Sequence, residues 1–306
     1  MTTFDFSVVV PVFNSAKSLP ELFERLEKSF LEMNKTFQVI FVDDGSADES
    51  WKVLTELKSK NSEKIEAIKL SKNFGQHNAI LCGFSFVKGN FTITIDDDLQ
   101  YQPEDIASMY NKMTENNVDI VFGVHGEKQH NIIRKIGSWY MNQSSKFSKK
   151  VIAGASYRLI NSEIVKKTVE TYHEYVYIDE ILSWFTEKVD FVVVQHLPRK
   201  YDRSNYTSGK LITHAFNISL FYTAFPLRLM TYGGMASSIV FALIGIFYLV
   251  KKLFLHHTPM GYTSIIVAIL FSASLMLMCM GILSEYLLRI YKAQTKRPPF
   301  AISKVA

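Results

Sequence analysis

The stretch FQVIFVDDGS, residues 37–46, contains the pattern that decides the fold. Its apolar part predicts a buried strand over Phe37–Val42, and the acidic DDGS that follows predicts a turn directly after that strand. The same pattern occurs in SVVVPVFN at residues 7–14 and in FTITIDDDLQ at residues 91–100. Polar side chains therefore follow three separate strands at the point where each strand ends.

Segments with helical periodicity lie between these strands and after them. The sequence predicts strands over Ser7–Val12, Phe37–Val42, Ile65–Leu70, Phe91–Ile95, Val118–Phe122, Val151–Ile160 and Phe191–His196, and helices over Ser18–Met33, Asp48–Lys60, Gln76–Val87, Pro103–Glu115, Ile132–Phe147 and Ile178–Glu187. This alternation predicts an α/β fold with a mostly parallel sheet and helices on both faces. Ligands of such sheets bind outside the carboxyl ends of the strands, where the acidic turns fall.

Composition restricts the function classes. The chain has 306 residues, a net charge of +5 and no nucleic-acid-binding motif, so we expect no nucleic-acid partner. Its two cysteines, Cys82 and Cys279, provide neither a disulfide framework nor a metal site. Residues 1–6 lack the pattern of a signal peptide, which predicts that the N-terminal domain stays in the cytoplasm.

The last third of the chain contains two long uncharged apolar runs, Leu229–Val250 and Thr263–Ser284. Each is long enough to span a bilayer, so we predict a multi-pass membrane protein with two spans. Lys210–Phe225 is amphipathic and precedes the first run, which favours a helix in the membrane interface. Basic residues flank both runs, and this balance places the catalytic domain in the cytoplasm, at the inner membrane if the source is bacterial.

The predicted domain organisation follows from these segments. It comprises a cytoplasmic catalytic domain at residues 1–210, an amphipathic segment at 211–228, a transmembrane hairpin at 229–290 and a basic cytoplasmic tail at 291–306. Packed spans of this kind also permit a homo-oligomer.

Three adjacent carboxylates, Asp96, Asp97 and Asp98, follow a buried strand, with Gln100 close behind. Such a cluster is tolerated as a solvated, helix-capping loop or when a cation compensates its charge. Mg²⁺ and Mn²⁺ prefer oxygen ligands, and Mg²⁺ usually keeps substrate phosphates in its coordination shell. The cluster therefore points to a Mg²⁺ or Mn²⁺ site shared with a diphosphate, with the solvated loop as the alternative.

The turn after Val42 and the end of the first strand offer groups for a nucleotide. A turn or a cap accounts for Asp43 and Asp44, but Asp43 could equally accept hydrogen bonds from a base or a ribose. The segment from Pro11 through Phe13 to Asn14 could pack against the same base.

Basic and hydroxyl side chains form the candidate phosphate-binding set. Arginine can donate two hydrogen bonds to one phosphate, and hydroxyls suit the remaining oxygens. Solvated surface charge is the alternative for each member. The set comprises Arg134, Arg158, Arg199, Arg203, Ser204, Tyr206, Thr207 and Lys210.

Together these motifs resemble the polyprenyl-phosphate branch of family 2 glycosyltransferases, which includes dolichyl-phosphate mannose synthase and undecaprenyl-phosphate sugar transferases. The resemblance covers almost the whole chain, and the order of the motifs is specific. The motifs are residues 8–14, 42–46, 73–79, 96–100, Tyr157-Arg158-Leu159, Arg203-Ser204-Asn205-Tyr206 with Lys210, 226–229 and 285–291.

This resemblance implies a GT-A fold with two groups of site residues. The donor and metal group comprises Pro11, Phe13, Asn14, Asp43 and Asp44, with Asp96, Asp98 and Gln100 around the metal and diphosphate. The acceptor group comprises Arg134, Ser138, Arg158, Arg203, Ser204, Tyr206 and Lys210. The residues assigned to catalysis itself are Asp96, Asp98, Arg203 and Lys210.

The chain departs from the family pattern at two places. Many relatives have Gly-x-Arg where Gly123-Val124-His125 stands, so a phosphate contact is weakened or carried by His125. Asp97 occupies a position where small residues are common, which leaves open which two of the three acids touch the metal.

The expected activity is inverting, metal-dependent transfer of a sugar from a nucleotide-diphosphate donor to a polyprenyl phosphate, with undecaprenyl phosphate as the expected lipid. The product would supply cell-envelope glycan synthesis or modification. The alternatives are a processive polysaccharide synthase and a non-enzymatic membrane scaffold. The sequence lacks the Gln-x-x-Arg-Trp motif of processive synthases, and the intact acidic cluster argues against the scaffold.

Overall fold

A computed structural model of the chain describes residues 4–125, 156–171, 177–195, 197–198 and 298–306, together with isolated positions between 232 and 290. The chain divides into two compact units. The first combines residues 1–205 with 298–306, and the second comprises residues 206–297.

The first unit alternates strands and helices. Its strands are β1 Phe6–Val12, β2 Phe37–Asp43, β3 Ile65–Leu70, β4 Phe91–Thr94, β5 Ile120–His125, β6 Arg158–Asn161, β7 Val189–Val194 and β8 Ile302–Val305. Its helices are α1 Leu19–Glu32, α2 Ser50–Lys60, α3 Gln76–Phe84, a short 3₁₀ turn Pro103–Asp105, α4 Ile106–Asn116, α5 Ser162–Glu170 and α6 Ile178–Ser183. The sequence predicted most of these elements within a few residues.

The strands form one eight-stranded sheet in the order β7-β5-β6-β4-β1-β2-β3-β8. β1 pairs in parallel with β2 and β4, β2 with β3, and β5 with β7. β6 runs antiparallel to β4 and β5, and β8 runs antiparallel to β3. The predicted mostly parallel sheet is confirmed.

The core has two parts because side chains alternate between the faces of a strand. Val8 and Val10 of β1 pack on one face with Leu22 of α1, whereas Val9 packs on the other face with Ala79 of α3. Helix α3 lies so close to β1 that a Cβ at Gly83 would meet Val9 Cγ1 at 2.4 Å. Helices therefore cover both faces, as the alternation predicted.

Helix α5 was not predicted from the sequence. It begins directly after β6, and the side chain of Asn161 caps it by accepting a hydrogen bond from the Glu163 N–H at 3.0 Å. A strand that leads without a loop into a helix gives no turn signal in the sequence. Of the predicted strand Val151–Ile160, residues 151–155 lie outside the described residues, Ser156 and Tyr157 are not in a strand, and β6 begins at Arg158.

Part of the predicted basic tail at residues 291–306 forms a strand. Ile302–Val305 form β8, which pairs with β3 at the edge of the sheet, and Phe300 packs against the core. The Ser71 N–H donates to the Ala301 carbonyl, and the Ala306 N–H donates to the Ala67 carbonyl. The sequence did not predict this strand, because an edge strand needs only backbone pairing on one side.

The second unit is described only at scattered positions, all of them helical except Gly261. Within the described part of the chain, no helix has both the length and the apolarity that crossing a membrane requires. The predicted interfacial segment 211–228 and most residues of the predicted spans, Leu229–Val250 and Thr263–Ser284, lie outside the described residues.

Candidate active site

The three polar turns predicted from the sequence meet at one edge of the sheet. β1 lies between β2 and β4, and all three strands are parallel, so their carboxyl ends point the same way. Val12 pairs with Asp43 across β1 and β2, and Val9 pairs with Thr94 across β1 and β4. The turns that follow these strands are therefore neighbours.

Hydrogen bonds join the turn after β1 to both of its neighbours. Asn14 adopts a left-handed backbone with φ of 56° and accepts, through Oδ1, from the Ala47 N–H at 2.8 Å. Its own N–H donates to Ser46 Oγ at 2.9 Å, and the Phe13 N–H donates to Asp97 Oδ2 at 3.1 Å. These bonds fix the loop whose Phe13 side chain is 45% exposed, whereas Pro11 is buried in β1.

Asp43 ends β2 and is completely buried. Its Oδ1 accepts from the Ser46 N–H at 2.8 Å, and Lys69 Nζ lies 3.5 Å from its Oδ2. Among the described residues no hydrogen bond reaches Oδ2. Since buried polar atoms are normally hydrogen-bonded, this oxygen has accepting capacity for a ligand donor.

Both carboxylate oxygens of Asp44, the next residue, are occupied by hydrogen bonds within the protein. Its two oxygens accept from the N–H groups of Phe74 and Gly75, at 2.7 and 2.8 Å. Burial raises the pKa of Asp44, and these two backbone bonds work in the opposite direction. The carboxylate thus holds the turn that begins α3, and this position does not favour the predicted donor contact.

Close approach of the chain explains the glycine that follows Asp44. Gly45 has φ of 71°, and a Cβ on it would lie 2.6 Å from the Lys72 carbonyl carbon. Only glycine combines this left-handed backbone with that distance at little cost. The turn after β2 can therefore lie directly against the segment that leads into α3.

The acidic turn after β4 is half-buried and held on several sides. Gln76 Nε2, at the first position of α3, donates to Asp96 Oδ1 at 2.6 Å, and the Ser156 hydroxyl donates to Asp96 Oδ2. Asp98 Oδ1 accepts from the Gln100 N–H at 3.1 Å, around Leu99 with φ of 60°. The predicted donor and metal residues are therefore brought together.

The pKa of Asp97, the middle acid, reflects the electrostatics of this turn. Burial raises the pKa of Asp97 to about 7, and the charges of Asp96 and Asp98 act in the same direction. The Ser15 hydroxyl and the Phe13 N–H act against this rise in pKa. Three adjacent carboxylates thus stand at one strand end, an arrangement that a bound cation would stabilise.

Gln100 connects the acidic turn to the segment after β7. Its Nε2 donates to the Leu197 carbonyl at 3.1 Å, and the Leu197 N–H donates to the Gln100 carbonyl at 2.9 Å. Residues 197 and 198 therefore pass beside the turn. Within the described residues, no group of three His, Cys, Asp or Glu side chains is arranged to hold a metal alone.

Arg158 does not belong with the predicted acceptor-binding residues. Its side chain is only 2% exposed, and Nε and Nη2 donate to the two oxygens of Asp179, the second bond measuring 3.0 Å. Burial alone would lower the pKa of Arg158, but Asp179 outweighs it and the pKa is raised. A buried, paired guanidinium cannot reach a lipid phosphate, so this assignment is corrected.

The other predicted acceptor residues, Arg134, Ser138, Arg203, Ser204, Tyr206 and Lys210, lie outside the described residues. His125 is the last residue of β5. The sequence predicted no role for Ser156, Asp179, Lys69 or Gln76. Gln76 lies in the family motif at residues 73–79, which is the signal that could have pointed to it. The contacts of Ser156, Asp179 and Lys69 are visible only in the folded structure.

Comparisons with known proteins agree with this geometry. Residues 7–168 match the family described as Glycosyl transferase family 2. The chain is 32% identical over 304 residues to undecaprenyl-phosphate 4-deoxy-4-formamido-L-arabinose transferase of Pseudomonas aeruginosa strain LESB58, covering 98% of this chain and 89% of the relative. The transferase of the same name from Klebsiella pneumoniae strain 342 is 29% identical, with 98% and 93% covered.

Solved structures share the fold. Glucosyl-3-phosphoglycerate synthase from Mycobacterium tuberculosis, in complex with Mn²⁺, UDP and glucosyl-3-phosphoglycerate, has a TM-score of 0.51 at 13% identity, covering 71% of this chain and 78% of its own. TarS 1-349 of S. aureus in complex with UDP-GlcNAc has a TM-score of 0.50 at 17% identity, covering 71% and 65%. At these identities the likeness concerns the fold alone.

Proposed function

Because the chain belongs to glycosyl transferase family 2, we propose that it transfers one sugar from a nucleotide-diphosphate donor to a polyprenyl phosphate. The family membership confirms the resemblance drawn from the sequence motifs, and the chain is a glycosyltransferase. The observation that carries the proposal is the meeting of Asp43 and the acidic turn at the carboxyl edge of the sheet. The names of the full-length relatives support undecaprenyl phosphate as the acceptor.

Asp43 is the residue best placed to bind the nucleotide. Its buried Oδ2 accepts no hydrogen bond from the described protein, and a base or ribose can supply the donor. Phe13, exposed on the neighbouring turn, offers an aromatic face to the same base. Asn14 takes part indirectly, since its side chain ties the two turns together.

The acidic turn has the donor set that Mg²⁺ or Mn²⁺ requires. Asp96 and Asp98 would hold the cation, with Gln100 beside them, and substrate phosphate oxygens would complete the shell. Such sharing agrees with the absence, among described residues, of a three-ligand protein site. When bound, the cation neutralises charge on the leaving diphosphate. The solved neighbour from Mycobacterium tuberculosis, whose complex contains Mn²⁺, supports this choice.

The reaction we propose inverts configuration at the anomeric carbon. A lipid phosphate oxygen forms a bond to that carbon, the bond from the carbon to the donor phosphate oxygen breaks, and the nucleoside diphosphate leaves. The acceptor phosphate is already ionised near neutral pH, so no strong protein base is needed. Positively charged and hydroxyl side chains hold the acceptor near attack geometry. We assign this role to Arg134, Ser138, Arg203, Ser204, Tyr206 and Lys210.

We also propose that residues 229–290 cross the membrane twice, with the catalytic domain in the cytoplasm. Two long uncharged runs in the sequence support this arrangement. The structure adds a topological argument, since the chain before residue 206 and the chain after residue 297 belong to one unit. If the intervening segment enters a membrane, both of its ends would then start from the same unit, which supports an even number of crossings.

The test is a screen of nucleotide sugars with the full chain in detergent and undecaprenyl phosphate, read by mass spectrometry of the lipid. We expect one sugar per lipid, formed with Mn²⁺ or Mg²⁺ and lost with EDTA. Undecaprenol, which lacks the phosphate, is the matched control and should give no product. Chains of several sugars would favour a processive synthase, and the absence of product with every donor would contradict the proposal.

A further inference from the structure

The first acid of the acidic turn is held on both of its oxygens by side chains from different elements. Gln76 at the start of α3 donates to Asp96 Oδ1, and Ser156, just before β6, donates to Asp96 Oδ2. A carboxylate bonded in this way cannot rotate freely about its side-chain torsions. The protein therefore fixes the direction in which the remaining lone pairs of Asp96 point.

Ser156 is itself held in place through its backbone. Its carbonyl accepts from Thr94 Oγ1 at 2.8 Å and from Arg158 Nη1 at 3.1 Å. Thr94 ends β4 and pairs in register with Arg158, which begins β6. Arg158 Nη1 also lies 3.2 Å from Thr94 Oγ1, so one guanidinium nitrogen joins both strands to the residue that touches Asp96.

Asp179 fixes the guanidinium from the other side. It accepts from Nε and Nη2 of Arg158, and both side chains are almost completely buried, at 2% and 3% exposure. Removing two charges from water costs several kcal/mol per ion, and a well-formed pair only offsets this cost. Apolar residues could fill the same volume, so stability alone does not account for the pair.

We propose that Asp179, Arg158 and Ser156 form a positioning relay that sets the orientation of the Asp96 carboxylate toward the donor diphosphate and its cation. The inference rests on the proposed function, in which Asp96 holds that cation. Asp179 and Arg158 act through Ser156, so they are positioning residues. Outer partners of metal ligands commonly control metal affinity in this way.

The first test measures binding rather than turnover. Calorimetry of the full chain in detergent records the affinity for Mn²⁺ in the presence of UDP, GDP or dTDP. Ser156→Ala should weaken this affinity about 10- to 100-fold, the usual effect of an outer-shell partner. Ser156→Thr, which keeps the hydroxyl, should restore most of it.

Ser162, the first residue of α5 directly after β6, provides a matched control. Its hydroxyl lies 2.7 Å from Thr92 Oγ1, is buried, and takes no part in the described contacts of the acidic turn. Ser162→Ala should therefore leave Mn²⁺ affinity unchanged, although it too removes a buried hydrogen bond between β4 and the chain after β6. Melting temperatures of both variants report any loss of folding.

The ion pair is tested with a double variant, since Asp179→Asn alone leaves a buried charge unpaired and can prevent folding. Arg158→Met with Asp179→Leu removes both charges together. We expect a folded protein whose Mn²⁺ affinity is weakened as much as in Ser156→Ala. Adding Ser156→Ala to the double variant should then cause little further loss, because members of one relay are not additive.

The outcomes separate this inference from the proposed function. A wild-type chain that binds Mn²⁺ with none of the three nucleotides would contradict the proposed function. If the wild-type chain binds Mn²⁺ and Ser156→Ala binds it as tightly as Ser162→Ala does, the relay is overturned. The relay is also overturned if the folded double variant keeps wild-type affinity.

Discussion

Adjacent aspartates stand at the carboxyl end of β2 and just after β4, yet their hydrogen bonds differ. After β2, Asp44 accepts two backbone N–H groups, while Asp43 keeps one buried oxygen without a hydrogen bond from the described residues. After β4, Asp96 is held by the side chains of Gln76 and Ser156. Backbone donors hold the turn after β2 rigidly, and side-chain donors after β4 fix the orientation of the Asp96 carboxylate.

This difference teaches that an aspartate's role depends on the donors around it. A carboxylate whose oxygens both receive backbone N–H groups is part of the scaffold, and its loss affects folding. A carboxylate with remaining lone pairs at a cleft edge can serve a ligand. Substitutions in the two turns should therefore separate effects on stability from effects on catalysis and donor binding.

The largest effect is expected in the second turn. Asp98→Ala should lower the transfer rate by about 1,000-fold, because losing a cation ligand removes several kcal/mol of charge stabilisation in the transition state. The assay is lipid product per minute at saturating donor. Asp190→Ala is the matched control. Asp190 lies on the edge strand β7, where it accepts a hydrogen bond from Asn116 and forms an ion pair with Lys112. Its loss should leave the transfer rate unchanged. Near-normal turnover in Asp98→Ala would count against the cation site.

In the first turn, Asp43→Asn should raise the donor KM by about 10- to 100-fold with little change in kcat. The substitution keeps an acceptor for the Ser46 N–H but replaces the second oxygen with an amide that cannot accept. Steady-state kinetics at several donor concentrations separates the two parameters. A fall in kcat at constant KM would contradict nucleotide binding by Asp43.

The same substitution one residue later should act on stability. Asp44→Asn turns an NH₂ group toward the N–H of Phe74 or Gly75, so one buried donor loses its acceptor, at a cost of about 1–3 kcal/mol in the free energy of unfolding. Melting temperature is the measurement. If Asp44→Asn keeps the wild-type melting temperature and changes only the donor KM, the two aspartates have been assigned the wrong way round.

The smallest effect is expected at Phe13. Phe13→Ala should raise the donor KM by about fivefold, since an exposed aromatic contact with a base contributes about 1 kcal/mol. Its backbone N–H still reaches Asp97, so folding should not change. Leu31→Ala removes a still more exposed apolar side chain on α1 and serves as the control for surface truncation. Equal donor KM values in both variants would remove Phe13 from the donor site.

The sheet was predictable because its signal is local. The apolar runs of β1, β2, β3 and β4 are bounded by turn residues, and the helices between them show clear periodicity. Helix α5 and strand β8 were missed for physical reasons. The first follows β6 without a turn, and the second depends on pairing with β3, far away in the sequence.

The site was predictable only in part. The acids could be found because they follow strands in a parallel sheet, whose carboxyl ends meet. Local sequence could not show that Arg158 is buried against Asp179, since arginine is usually exposed. Nor could it distinguish Asp43 from Asp44, whose roles depend on the Phe74 and Gly75 N–H groups.

The most direct test of the account is the position of a bound cation. An anomalous difference map from crystals of the full chain with Mn²⁺ and a nucleoside diphosphate would locate it. The account predicts a peak at about 2.1 Å from carboxylate oxygens of Asp96 and Asp98, with the diphosphate on its other side. A peak elsewhere, or a nucleotide bound away from Asp43 with the acidic turn empty, would contradict it.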